Sequence, residues 1–194
     1  MPNPKLPRLP PEHLPARLRE AHAQSMALRG DATFFEVFGH HPELYRWYVD
    51  SFYGEVFHGG LVDRRTKELV RYRLSTLHGC RFCNQGNRVA AREAGIADAA
   101  LDAIDDYESS EALSAADRAA VALAERQALT SEIEPMDDEL YRRLRTSFSD
   151  AQILELGLVI GILSGVARFL FAFDLVEKEP SCPLHASAGD GDTT

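Results

Sequence analysis

Cysteine is scarce in this chain, with three among 194 residues. That is too few for the disulfide framework that staples small secreted domains. Basic residues are also in deficit: 21 Lys and Arg stand against 30 Asp and Glu, a formal net charge of -9. Nucleic acid is thereby excluded as an expected partner, because phosphate binding needs clustered cations. Sustained apolar–polar alternation is absent, so no strand is expected. The opening Met1-Pro2-Asn3-Pro4-Lys5 carries no apolar run that reads as a signal peptide, and the expected location is the cytoplasm. The longest apolar run, Leu156 to Phe173, is broken by Arg168 and bracketed by Glu155 and Asp174. A membrane span needs about 20 apolar residues with few charges. A core helix is therefore expected here, and no membrane partner.

What is present reads as helix after helix, a single all-α domain with 45% hydrophobic residues to build its core. Residues 1–15 hold six prolines and read as an extended arm, of the kind that packs on a partner subunit. The domain proper covers residues 16–179, and residues 180–194 read as a flexible tail. Ala16–Arg29 is a first helix ended by Gly30, and Pro42 opens a second that runs to about Tyr53. Asp63–His78 and Cys80–Ala94 follow, each stopped by a glycine. A short helix at Ala97–Tyr107 precedes two capped by Ser114 and Asp137. Ser149-Asp150-Ala151-Gln152 has the capping-box pattern and opens the long apolar helix. Within it Gly157, Gly161 and Gly165 share one face, which predicts close approach of another helix.

The chemistry is concentrated in Cys80-Arg81-Phe82-Cys83. Two cysteines three apart at a helix start put both sulfurs on the first turn, where the positive end of the dipole stabilises a thiolate. Such a pair can close a disulfide and reopen it. The same spacing also fits half of a zinc site or two small buried hydrophobes. A zinc site would need Cys182 and His185 from the tail, nearly a hundred residues away. Structural zinc usually organises a domain that lacks a core, and this chain has one. Cys182 is accordingly expected to be an incidental exposed thiol, and no metal or cofactor is expected.

Glu68 lies twelve residues before Cys80, on the preceding helix. Val70, Leu74 and Leu77 form that helix's apolar stripe, and Glu68 and Tyr72 lie almost opposite it. The pattern alone favours a solvated carboxylate. The functional reading is a base that relays a proton as a thiolate forms. His78, two residues before Cys80, fits either a proton shuttle or a helix-end histidine bonded to a terminal carbonyl. Arg81 would favour a thiolate if it points inward, although an exposed arginine is the commoner outcome. His40, His41 and His58 could reach the pair only through folding. The aromatic cluster Phe34-Phe35, Trp47-Tyr48 and Phe52-Tyr53 reads as core or subunit interface before substrate pocket.

Three segments together resemble the carboxymuconolactone decarboxylase-like superfamily, in its alkylhydroperoxidase D-like, peroxidase-related branch. They are Arg65-Thr66-Lys67-Glu68-Leu69-Val70, Leu77-His78-Gly79-Cys80-Arg81-Phe82-Cys83 and Phe148-Ser149-Asp150, within a similarity spanning residues 35–175. The resemblance implies an all-helical fold that assembles into homo-oligomers. It implies that Glu68 belongs to a proton relay, that Cys83 attacks the peroxide and that Cys80 is its partner and proton donor. An external dithiol would then reduce the resulting disulfide. One position departs from the family pattern, which places a histidine four residues after the second cysteine; here it is Asn87. Asparagine hydrogen-bonds but carries no proton, so the relay would be interrupted or rerouted through His78 or a water.

The expected function is therefore a thiol-dependent peroxidase or disulfide oxidoreductase that reduces hydroperoxides with Cys80 and Cys83. Two alternatives stand beside it. One is a decarboxylase-type acid–base enzyme using Glu68 and His78. The other is a non-enzymatic redox-sensing module whose disulfide changes its assembly.

Overall fold

A computed structural model describes residues 1–128, 131, 136–180 and 182–183. It is all-helical, as the absence of alternation predicts. The helices are α1 (Ala16–Arg29), α2 (Thr33–Phe38), α3 (Pro42–Arg46), α4 (Arg64–Leu77), α5 (Arg81–Glu93), α6 (Asp98–Asp102), α7 (Ala115–Gln127), α8 (Asp138–Arg145) and α9 (Asp150–Ala172). Capping follows the sequence closely. Asp63, Ser114, Asp137 and Ser149 each accept a backbone N–H from the first turn of α4, α7, α8 and α9.

Two features depart from the expected pattern. α2 is an additional helix, short and rich in phenylalanine, that no cap or period announces. The helix opened by Pro42 also continues past Tyr53: α3 passes directly into a π-helix at Trp47–His58. π-turns are rare and concentrate at functional sites, because the extra residue per turn redirects the side chains. Here that turn carries Tyr48 and Tyr53.

α4 is the central element and packs on α5, α7 and α9. Of the expected stripe Val70 and Leu74 are buried and Leu77 is half-buried, and Leu69, Lys67, Glu68, Tyr72 and Arg73 are buried as well. The expectation of a solvated Glu68 is thus corrected: its exposure is 0%. The helix is covered on every side, and counter-charges supplied by other segments make burial of its polar face tolerable. Lys67 Nζ lies 2.9 Å from Glu155 Oε1 of α9 and donates to the Val56 carbonyl at 2.8 Å. Arg73 Nε donates to Glu125 Oε1 of α7 at 2.8 Å. Arg65 reaches Asp117, within the α7 capping box, at 2.5 Å.

The apolar side chains form two clusters. The larger joins α4, α6, α7, α8 and the buried face of α9. The smaller joins α1, α2, the C-terminal end of α9 and residues 175–182, and it contains Cys80. The N-terminal arm lies on this second cluster rather than reaching away. Leu14 is buried, Asn3 N–H donates to Asp174 Oδ2 at 2.8 Å, and His40 Nε2 meets the Pro7 carbonyl at 2.8 Å. Within this chain the arm is thus held against its own domain.

Cys182 also differs from expectation. It is 4% exposed, not a surface thiol, and it sits on Gly79. Gly79 has φ 63°, and a Cβ there would lie 2.7 Å from the Cys182 Cα, so only glycine allows both the turn and the contact. His185 and the remainder of the expected tail lie outside the described residues. Among the described residues no group of three metal-ligating side chains occurs.

α9 is long and apolar enough to cross a membrane, yet one face is packed as a core helix, with Ile153, Leu156, Ile160 and Leu163 buried. The opposite face is open. Leu154 is 75% exposed and Leu158 57%. A Cβ added at Gly161 or Gly165 would meet nothing within 4 Å, so no other described helix approaches there. The expected close contact at the glycine face is therefore absent among the described residues of this chain.

The buried charges set two expectations for stability. Removing one partner of a buried ion pair leaves the other charge uncompensated. Glu155→Ala should therefore lower unfolding free energy by about 3 kcal/mol or more in urea titrations, and a loss under about 1 kcal/mol would show that water replaces the carboxylate. His78, the buried C-cap of α4, is the second case: burial lowers its pKa from 6.5 to about 4. Its folded pKa lies below the unfolded value, so its contribution is present above the unfolded pKa and is lost as pH falls. The difference between wild type and His78→Gln should change by about 2 kcal/mol between about pH 6.5 and about pH 5. A pH-independent difference would contradict the neutral buried imidazole.

Candidate active site

A cavity of about 230 Å³ opens at the seam between the two apolar clusters. It is smaller than the roughly 300–1,000 Å³ that encloses drug-sized ligands, and so suits a compact molecule. Cys80 and Cys83 both line it. They are joined as a disulfide, with Cα atoms 5.2 Å apart. Cys80 is the N-cap of α5: its Sγ accepts the Cys83 N–H at 3.2 Å. The local sequence explains the placement. Gly79 terminates α4 and turns the chain, and α5 restarts at once, bringing Cys83 into its first turn. Cys80 is buried and Cys83 partly exposed, so Cys83 is the more accessible sulfur.

His78 lines the same cavity, in its neutral form at pH 7 because of burial. Asn87 lines it too, its Nδ2 donating to the Arg71 carbonyl at 3.3 Å. Glu68 does not line it. Arg71 stands between: its Nη2 is 2.5 Å from Glu68 Oε2, and its Nη1 donates to the Tyr53 hydroxyl at 3.3 Å. Arg64 Nε lies 3.6 Å from the other carboxylate oxygen. The Glu68 contacts are ion pairs with poor hydrogen-bond alignment, since neither carboxylate oxygen has a well-aligned donor. Burial accordingly outweighs the two arginines and raises the Glu68 pKa. Glu68 therefore communicates with the cavity through Arg71 and Tyr53.

Of the four sequence candidates, three (Cys80, Cys83 and His78) meet at one cavity and Glu68 sits one layer behind. Arg81 is exposed, 3.5 Å from Glu177. His40, His41 and His58 stay outside the cavity. His41 caps α3, and His58 meets Phe57 edge to face at 5.2 Å.

The aromatic cluster divides. Phe34, Phe35, Tyr48 and Tyr53 line the cavity, Phe52 belongs to the core, and Trp47 is exposed. Sequence reasoning missed Arg71, Tyr53 and Arg29 as site residues. The spacing of Arg71 three residues after Glu68 was available as a helical ion-pair signal. Nothing in the sequence links Tyr53 or Arg29 to Cys80.

Comparison with known proteins agrees with this geometry. Residues 42–126 match the carboxymuconolactone decarboxylase family. An uncharacterised Bacillus subtilis (strain 168) protein, YdfG, is 28% identical over 111 residues, 57% of this chain and 75% of its own. The fold superposes on the alkylhydroperoxidase AhpD core of a peroxidase-related protein from Ralstonia eutropha JMP134. The TM-score is 0.69 at 15% identity, covering 93% of this chain and 94% of the other. It also superposes on the debrominase Bmp8, at TM-score 0.70 and 19% identity, over 92% and 94% of the two chains. A cysteine-to-alanine variant of Bmp8, solved with 2,3,4-tribromopyrrole, gives TM-score 0.67 at 19% identity, over 92% and 93%. Residues 42–126 of this chain are thus similar to the carboxymuconolactone decarboxylase family, and its fold is the alkylhydroperoxidase D-like one.

Proposed function

We propose that this protein is a thiol-dependent peroxidase that reduces a small hydroperoxide with Cys83 and Cys80. The observation that carries the reading is the pair itself: two sulfurs, bonded to each other, on the wall of a compact cavity at a helix start. In the reduced enzyme the Cys83 thiolate attacks the terminal oxygen of ROOH. The O–O bond breaks, Cys83 becomes a sulfenic acid, and the alkoxide takes a proton to leave as ROH. The Cys80 thiol is the nearest donor of that proton. The Cys80 thiolate then attacks the sulfenic sulfur and expels hydroxide, which is protonated to water. An external dithiol returns two electrons by exchange. A Cys80–Cys83 bridge is the product expected of this half-reaction, and its closure would protect Cys83 from over-oxidation.

Asn87 carries no proton, and His78 is neutral at pH 7, so neither serves as the general acid. Tyr53 lines the cavity and its hydroxyl accepts from Arg71. Acid–base decarboxylation by Glu68 and His78 has less support, because Glu68 is clamped by two arginines outside the cavity.

A second reading uses the same pair. Reductive dehalogenation would take an aryl bromide and two thiols to the arene, a disulfide and hydrogen bromide. The aromatic wall and the fold likeness to a debrominase favour it. The open Leu154–Leu158–Gly161–Gly165 face of α9 supports a homo-oligomer.

Mixing reduced protein with an organic hydroperoxide should release one alcohol per Cys80–Cys83 bridge, read by mass spectrometry. Cys83→Ser should abolish turnover, and Cys80→Ser should leave a sulfenic acid trapped by dimedone. Unchanged turnover in Cys83→Ser would refute the proposal. Halide release from a bromoarene, with no alcohol from the hydroperoxide, would select the second reading. For the assembly, Leu158→Arg should lower the sedimentation mass, and an identical mass for wild type and variant would exclude this face.

A further inference from the structure

Arg29 lines the cavity and forms no ion pair among the described residues, although the Asp31 carboxylate is near enough to favour its charge. Arg29 is the last residue of α1, far in sequence from the cysteines. Arg71, the other lining arginine, is committed to Glu68 and Tyr53. Arg29 has only a 3.4 Å contact from Nη1 to Ser25 Oγ, and its Nε is shielded from solvent with no hydrogen-bond partner. Asp31, the adjacent acid, uses its Oδ1 to accept from Thr33 and forms no ion pair with Arg29. An unpaired guanidinium costs stability in an apolar wall unless something else compensates it.

The surroundings hold this group in place. Its guanidinium carbon lies over the Phe82 ring, 4.6 Å from the centroid, a cation–π contact that restrains the group. Phe82 sits between the two cysteines. Gly86, on the next turn of α5, makes the room: a Cβ there would lie 2.2 Å from Arg29 Nη2. Glycine inside a helix normally weakens it, and here it admits the arginine.

We infer that Arg29 is a specificity-determining residue and that the cavity takes a compact aromatic anion, with its ring among the aromatic side chains and a carboxylate on the Arg29 fork. This rests on the reading of the cavity as the substrate site. The competing anion is the Cys83 thiolate itself. No contact joins Arg29 to either sulfur, and the charge lies over the Phe82 ring, which favours a ligand partner.

The test uses the oxidised protein, in which no turnover occurs, so it stands apart from the peroxide chemistry. Benzoate and its neutral isostere benzamide are titrated and followed by NMR. Benzoate should bind about tenfold or more tightly than benzamide, as expected for a charge-assisted pair. Arg29→Gln should abolish that preference, and Arg29→Lys should retain part of it. Gly86→Ala, which favours the helix but displaces the guanidinium, should weaken it with the charge still present. Absent benzoate binding, equal affinities in wild type, or a preference that survives Arg29→Gln would each overturn the inference. So would a raised Cys83 thiol pKa in reduced Arg29→Gln with the benzoate preference intact, which would assign Arg29 to the thiolate.

Discussion

The structure depends on burying the polar face of α4. A helix covered on all sides must bring its charged residues inside, and each then needs an opposite charge from elsewhere. Lys67 draws in Glu155 of α9, Arg73 draws in Glu125 of α7, and Arg65 draws in Asp117 of α7. These pairings fix which helices surround α4 and at what height. Glu155 also accepts the N–H groups of Leu61 and Val62, so the same carboxylate anchors the turn leading into α4. Glu68 is the exception, since its partners Arg64 and Arg71 lie on its own helix. Arg71 is thereby held at the cavity wall by a carboxylate of its own helix.

The cavity is a consequence of how two clusters meet. The larger core is closed by α4, α7 and α9, whereas the smaller is built from the N-terminal helices and the C-terminal end of α9 with the segment that follows it. The π-helix crosses between them, and Tyr48 packs against both. Its wider turn brings Tyr48 and Tyr53 to the same wall as the disulfide. The α4–α5 junction completes the site. Gly79 reverses the chain, and the Glu179 N–H donates to the Gly79 carbonyl at 2.7 Å. The segment carrying Cys182 is thereby held over the junction. Burial of Cys80 and partial exposure of Cys83 follow from that cover.

Electrostatics then divide the site's ionisable groups by role. Burial keeps His78 neutral. Burial beside imperfectly aligned arginines raises the Glu68 pKa, whereas well-bonded Glu155 and Asp117 are held low by their donors. Carboxylates on and around one helix thus differ because their hydrogen-bond alignment differs.

By itself the sequence determined the helical class, most helix starts and the placing of two cysteines at one helix start. Caps such as Asp63, Ser114 and Ser149 act through the next three residues, and the Cys80–Cys83 spacing acts within one turn. Local physics suffices for both. The burial of Glu68, the burial of Cys182 and the docking of the arm on its own domain required the tertiary structure. Periodicity along one helix ranks its faces but does not reveal that neighbours cover all of them. Counter-charges 52 to 88 residues away, as for Arg73–Glu125 and Lys67–Glu155, leave no local trace. The same holds for Arg29, whose side chain crosses from α1 to Phe82 and Gly86 of α5.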